Sequence, residues 1–139
     1  ESAQAYPAPA GPQSLRVLLA EDNSIGRVLM EHLLIAAGHR VTSVGDGQAV
    51  LLALREHDFD LVLMDVQMPK MDGFEATRRI RDLESKVKNH KVPIVAITAN
   101  AMRGDREQCL KAGMNDYISK PVTAQALADV LEKWLPNEK

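Results

Sequence analysis

Short apolar runs alternate with longer stretches of helical period from Leu15 almost to the end of the chain. Leu15-Arg16-Val17-Leu18-Leu19-Ala20 reads as a first strand that ends at Glu21-Asp22. A nearly continuous apolar run suits a strand covered on both faces. Asn23 or Ser24 then caps a helix that reaches Ala37, with Ile25, Val28, Leu29 and Leu33 on one face and Gly38 as its stop. Val41 to Val44 is a short second strand. Asp46 caps a second helix from Gln48 to about His57 that turns Val50, Leu51 and Leu54 inward. Leu61-Val62-Leu63-Met64 is a third strand. It delivers one carboxylate, Asp65, and the chain turns at once through Met68-Pro69-Lys70-Met71-Asp72-Gly73. Asp72 and Glu75 are spaced as a capping-box pair, with Asp in place of the usual Ser or Thr. They start a third helix, Gly73 to about Leu83, with Phe74, Thr77 and Ile80 inward.

Glu84 to Lys91 is polar and lysine-rich, the best candidate in the chain for a mobile loop. Pro93 to Thr98 is a fourth strand, and Arg103 to Ala112 a fourth helix stopped by Gly113. Tyr117-Ile118-Ser119 is a fifth strand before Lys120-Pro121. Thr123 caps a last helix in which Leu127, Val130, Leu131 and Trp134 recur at helical spacing, and Pro136 ends it. Five strands alternating with five helices imply an α/β fold, a doubly wound parallel sheet with helices on both faces. The expected strand order is 2-1-3-4-5, whose switch point lies between strands one and three. Residues 1–13 carry Pro7, Pro9 and Pro12 among Ala and Gln, so they are expected to be a linker or disordered tail, with one domain over 14–139. A first residue Glu1 rather than Met suggests a piece of something longer.

Composition narrows the function classes. The chain has 139 residues, enough for one domain with a real core, and its 4% aromatic content leaves that core to aliphatic side chains. A net charge of -2 with both signs interspersed argues against direct nucleic-acid binding. The single cysteine, Cys109, excludes an intrachain disulfide and a cysteine zinc site, which fits a reducing, cytoplasmic setting. Cys109 beside Leu110 is expected in the core, and His32, His39, His57 and His90 have no metal spacing and are expected at the surface. No apolar run approaches the roughly 20 residues of a membrane span, and no signal peptide is visible. No membrane contact by this domain is expected, and the isolated domain is expected to be monomeric.

The chemistry gathers at the carboxyl ends of four strands: Glu21 and Asp22, Asp65, Thr98, and Lys120. In the proposed order these strands are neighbours, 1-3-4-5. Three converging acids repel one another, and a hard divalent cation relieves them. Mg2+ takes one or two carboxylates plus water and phosphate oxygens, and Mn2+ could substitute. Lys120 offers a positive charge and Thr98 a hydroxyl, which suits the oxygens of a phosphoryl group in transfer. Asp65 sits in the middle, where a nucleophile belongs. Each residue also has a plainer role, as a helix cap for Glu21-Asp22, a turn residue for Thr98 or a solvated lysine for Lys120. The joint arrangement is what favours the chemical reading.

These residues resemble the response-regulator receiver domain of two-component signalling. The likeness rests on Glu21-Asp22-Asn23, Met64-Asp65 with Met68-Pro69 and Met71-Asp72-Gly73, Thr98-Ala99-Asn100-Ala101, and Tyr117-Ile118-Ser119-Lys120-Pro121. It covers residues 15–135, and the wording around Gln67 and Asn100 is most similar to receivers of hybrid sensor histidine kinases. Gly26 stands where such receivers commonly carry Asn, at a cost to the first helix turn of up to about 1 kcal/mol. The resemblance implies that Asp65 accepts a phosphoryl group from phosphohistidine. Asp22, Asp65 and the Gln67 carbonyl would bind Mg2+, with Glu21 helping through water. Lys120 and Thr98 would hold the phosphoryl group, and Thr98 with Tyr117 would form the switch. Lys120-Pro121 would be a cis peptide, and Gln67 and Asn100 would tune hydrolysis. The domain would catalyse only its own phosphorylation and dephosphorylation. Its partners would be a histidine kinase or a histidine phosphotransfer domain, docking on the first helix at Ile25 and Leu29.

Other readings differ at named positions. A stand-alone or output-linked response regulator would share every site residue. A haloacid-dehalogenase-like phosphatase needs a second Asp where this chain has Gln67. A flavin mononucleotide binder places its phosphate loop where Glu21-Asp22 would repel it. A degenerate receiver used only for docking would not fill all five chemical positions.

Overall fold

The computed structural model describes residues 14–99, 104 and 106–134. The expected linker 1–13, Asn100, the expected start of the fourth helix at Arg103 and the terminator Pro136 lie outside the described residues. The elements run β1 (Arg16–Ala20), α1 (Ser24–Ala36), β2 (Arg40–Val44), α2 (Gly47–Glu56), β3 (Leu61–Asp65), α3 (Gly73–Arg81), β4 (Ile94–Thr98), α4 (Arg106–Ala112), β5 (Asp116–Ser119) and α5 (Ala124–Trp134). All four strand pairings are parallel, and the sheet order is β2-β1-β3-β4-β5, as the alternation of elements predicts.

The central strands are apolar throughout because both of their faces are covered. Side chains alternate across the sheet. Leu18, Ala20, Val62, Met64, Ile94 and Ala96 thus enter one core with α2 and α3 residues such as Val50, Leu54, Ala76 and Ile80. Val17, Leu19, Leu61, Leu63, Val95 and Ile97 enter the other, with Met30 and Leu34 of α1 and Leu127 and Leu131 of α5. Burying each such Leu, Ile or Val stabilises the fold by about 1.5–3 kcal/mol. Cys109 is buried among the first set, as expected.

Caps fall at the expected residues. Asn23 Oδ1 accepts from the backbone N–H groups of Ile25 and Gly26, Asp46 Oδ1 from Ala49, and Thr123 Oγ1 from Ala126. Asp72 Oδ1 accepts from Glu75 N–H at 2.9 Å. The Glu75 carboxylate turns to Arg78 and Arg79. Gly38 closes α1 with a φ of 95°, a left-handed conformation that glycine adopts without steric cost.

Three expectations need correction. Of the α1 stripe of Ile25, Val28, Leu29 and Leu33 only Leu33 packs against the core, half-buried beside Met30 and Leu34, while Ile25 is 81% exposed and Val28 and Leu29 are also exposed. The heptad-like spacing permits two neighbouring stripes, and packing against β1 and α5 selects the second. His39 is buried, not at the surface, and its Nδ1 accepts a hydrogen bond from Leu15 N–H at 3.0 Å. Segment 84–91 is irregular, as its composition suggests, but it is anchored. Val87 is buried, Lys88 N–H donates to Leu54 O, and Arg81 donates to the carbonyls of His90 and Val92. The same guanidinium donates to Gly113 O and Asn115 Oδ1, so α3 is tied to the turn between α4 and β5.

Candidate phosphoacceptor site

The switch point between β1 and β3 carries the acids. Both strands end in the same layer of the sheet, since Ala20 pairs with Met64, so Glu21-Asp22 and Asp65 leave it side by side. Glu21, Asp22 and Asp65 each offer an oxygen, and those oxygens lie within 4.8 Å of one another. Glu21 and Asp65 are buried, whereas Asp22 is exposed. Burial first, then the contact with Asp65 and its charge, push the Glu21 carboxyl up to about 7. The Asn23 N–H, which donates to Glu21 Oε2 at 3.2 Å, and the charge of Lys120 pull it partly back.

Asp65 is held at both oxygens. Oδ1 accepts from Gln67 N–H at 3.0 Å, and Oδ2 accepts from Lys120 Nζ at 2.8 Å. Lys120 follows β5, whose backbone meets β4 there: Lys120 N–H donates to Thr98 O. Burial alone would lower the Lys120 ammonium. Its hydrogen bond to Asp65 and the charges of Asp65, Glu21 and Asp22 reverse that and hold it above the ordinary lysine value. The peptide bond between Lys120 and Pro121 is cis.

Thr98 is fully buried at the end of β4, one residue beyond the Ile97 that pairs with Asp65. Tyr117 lies on β5 opposite Ala96, half-buried, with the Arg106 guanidinium 5.6 Å from its ring centre. A cleft lined by Glu21, Asp22, Asn23, Asp65, Gln67, Met68, Phe74 and Lys120 gives access to the acids. A second, more apolar cleft adjoins it, lined by Gly26, Leu29, Met30, Ile97, Pro121 and Val122. Among the predicted docking residues Leu29 borders this cleft, while Ile25 is exposed in the first turn of α1 and does not line it.

The donor set fits a divalent cation. Three carboxylate oxygens converge with one lysine as counter-charge, and Asp65 adds to the burial that raises the Glu21 carboxyl. Sequence reasoning brought together Glu21, Asp22, Asp65 and Lys120. It missed the backbone bonds of Asn23 and Gln67 to the carboxylates, which no side-chain pattern signals.

An α/β sheet with an acidic switch point, a lysine on the central carboxylate and a buried hydroxyl on the next strand fits a phosphoryl-accepting signalling module. The chain belongs to the response regulator receiver domain family, which it matches over residues 17–132. It is 43% identical over 126 residues to Sensor protein GacS of Pseudomonas syringae pv. syringae, covering 91% of this chain and 14% of GacS. It thus spans about one seventh of that relative's length. Among solved structures, the receiver domain of sensor histidine kinase PA1611 from Pseudomonas aeruginosa PAO1, with a magnesium ion coordinated in its active site cleft, is 43% identical at a TM-score of 0.78, covering 87% of this chain and 97% of that one. A chain in the co-crystal of the Saccharomyces cerevisiae histidine phosphotransfer protein Ypd1 with the receiver domain of its response regulator Ssk1 is 29% identical at a TM-score of 0.80, covering 94% and 91%. Family membership sets aside the haloacid-dehalogenase-like and flavin-binding readings.

Proposed function

We propose that this receiver, residues 14–139, belongs to a hybrid sensor histidine kinase, with residues 1–13 as a linker, and that Asp65 is its phosphoacceptor. The observation that carries the assignment is the buried Asp65 carboxylate, held between Gln67 N–H and Lys120 Nζ beside two further acids. The relatives' kinase names support the parent architecture, in which the domain would face the cytoplasm. In transfer, an Asp65 oxygen forms a bond to phosphorus as the phosphorus–nitrogen bond of a phosphohistidine breaks. The electron pair leaves with the imidazole, and an acyl phosphate results.

Asp22, Asp65 and the Gln67 carbonyl would hold Mg2+, or Mn2+ in its place, with Glu21 acting through water. The cation, when bound, offsets negative charge on the phosphoryl oxygens. Lys120 would exchange its contact with Asp65 for one with the phosphoryl group, and Thr98 would donate its hydroxyl. Tyr117 would then move toward the space Thr98 leaves, biasing a small two-state shift at α4 and β5. Gln67 and Asn100 would set the lifetime of the acyl phosphate. The partner would be a histidine kinase or a histidine phosphotransfer domain seated on α1 at Ile25 and Leu29, and the isolated domain would be a monomer.

The test is phosphorylation with Mg2+ and acetyl phosphate or a phosphohistidine donor. The chain should gain one hydroxylamine-labile phosphate. Asp65→Asn, which keeps the shape and removes the nucleophile, should gain none. Full labelling of that variant would refute the assignment.

A further inference from the structure

The loop after β3 carries Gln67 and is braced by an element that contributes nothing to the acid cluster, the start of α2. Gly47 is the first residue of α2, capped by Asp46, and its N–H has no partner inside the helix. That N–H donates to the carbonyl of Met71 at 3.1 Å. The approach is so close that a methyl group on Gly47 would lie 2.5 Å from Met71 O, 2.8 Å from its Cβ and 2.9 Å from its Cγ. The first of these is backbone, so any side chain at 47 must push the loop. Lys70, the preceding loop residue, takes a left-handed φ of 66° and places its ammonium 3.7 Å from the Asp46 carboxylate. Two successive loop residues therefore rest on Asp46-Gly47.

The loop is short and closed, which is what carries a push to the site. Gly73 N–H donates to Val66 O across its neck, and Gln67 N–H donates to Asp65 Oδ1 at its head. A shift of Met71 has few soft torsions to dissipate in before it reaches Gln67.

We propose that Gly47 is a positioning residue for the metal-binding loop: its missing side chain seats the Met71 carbonyl, and this seat holds Gln67 in place for the cation. The inference rests on the receiver reading above and adds to it a control point on α2. Gly45, two residues earlier in the same turn, provides the control, because a methyl group there meets nothing within 4 Å.

The experiment is calorimetric titration of Mg2+ into the parent chain, Gly47→Ala and Gly45→Ala, with urea unfolding of each. Gly47→Ala should bind Mg2+ about tenfold more weakly, the low end for loss of a supporting partner around a metal site. Gly45→Ala should bind as the parent does. The amide resonances of Gln67 to Asp72 should shift in Gly47→Ala before metal is added. A Gly47→Ala protein that unfolds earlier in urea yet binds Mg2+ as the parent does would reduce Gly47 to a packing residue and overturn the proposal. If Gly47→Ala does not fold, hydrogen exchange of the Gly47 N–H in the parent chain decides, because a seat that favours the cation must itself be stabilised by the cation. Slower exchange with Mg2+ supports the seat, and exchange that Mg2+ leaves unchanged overturns it. Failure of the parent chain to bind Mg2+ would overturn the metal reading itself, whereas equal affinities of parent and variant overturn only the role of Gly47.

Discussion

Lys120→Met removes the ammonium that Asp65 faces and keeps most of the aliphatic stem. The pair is 2.8 Å long, with the Asp65 side chain 3% exposed and that of Lys120 36% exposed. At that distance two unit charges attract by about 6 kcal/mol at an effective dielectric of about 20, and by about 1.5 kcal/mol in water. Solvent reaches the lysine, so screening leaves an expected loss of about 2 kcal/mol, below the range for a fully buried pair that loses one partner. The loss should depend on pH and on metal. Lys120 lowers the Glu21 carboxyl from where burial and Asp65 would otherwise hold it. Without the lysine Glu21 retains its proton to higher pH, which blunts the penalty in mild acid. The full effect belongs at alkaline pH, where Glu21 has lost its proton. Saturating Mg2+ supplies the missing counter-charge and should recover at least half of the loss. The assay is urea unfolding of parent and variant at alkaline pH, once with chelator and once with Mg2+. An equal loss in both conditions would mean that Lys120 does not serve the acid cluster. Labelling by acetyl phosphate should also slow in the variant.

Asp22→Ala should abolish Mg2+-dependent phosphorylation and leave the fold intact, and the apoprotein should gain some stability because one repelling acid is gone. Undiminished labelling at low Mg2+ would contradict this. Ile25→Lys, at a position 81% exposed, should slow transfer from a phosphohistidine partner yet leave labelling by acetyl phosphate nearly unchanged, and equal slowing of both would place the damage in the site or fold. Burial holds the His39 imidazole below its usual value. The unfolded chain then binds a proton before the folded one does, so stability is full above about pH 6.5 and declines as pH falls below it. His39→Asn, which retains an acceptor for Leu15 N–H, should remove that decline from the difference between the two unfolding profiles. Glu21 acts in the opposite direction across the same window, because a raised acid loses stability as pH rises, and it cancels in the difference since both proteins carry it.

The strands, their parallel pairing and the acidic switch point were legible in the sequence because each is a local pattern. An apolar run flanked by helical periods implies burial on both faces, and repeated βα units leave few topologies. Glu21-Asp22, Asp65, Thr98 and Lys120 announced themselves by following such runs, since a polar group at that edge is where chain order and chemistry coincide. Caps at Asn23, Asp46, Asp72 and Thr123 were legible for the same reason: the side chain acts on its own neighbours in sequence.

What spacing did not decide was every choice between near-equal partners. The face of α1 that packs is the one carrying Met30 and Leu34, because β1 and α5 are there to receive it. The burial of His39 follows from the strand that passes beside it and presents the Leu15 N–H. Arg81 looks like one more basic residue in a charged helix turn, and only the approach of His90, Val92, Gly113 and Asn115 makes it an anchor. Glu21 is an ordinary carboxyl in the sequence. It reaches about 7 because the fold removes it from water and sets Asp65 against it. Gly47 reads as a common helix-start glycine, and its meaning lies in a carbonyl 24 residues away that comes too near for any side chain. Local pattern determined the elements and the atoms available for chemistry. Long-range packing decided which of those atoms meet, because desolvation and contact depend on neighbours that the chain brings together only when folded.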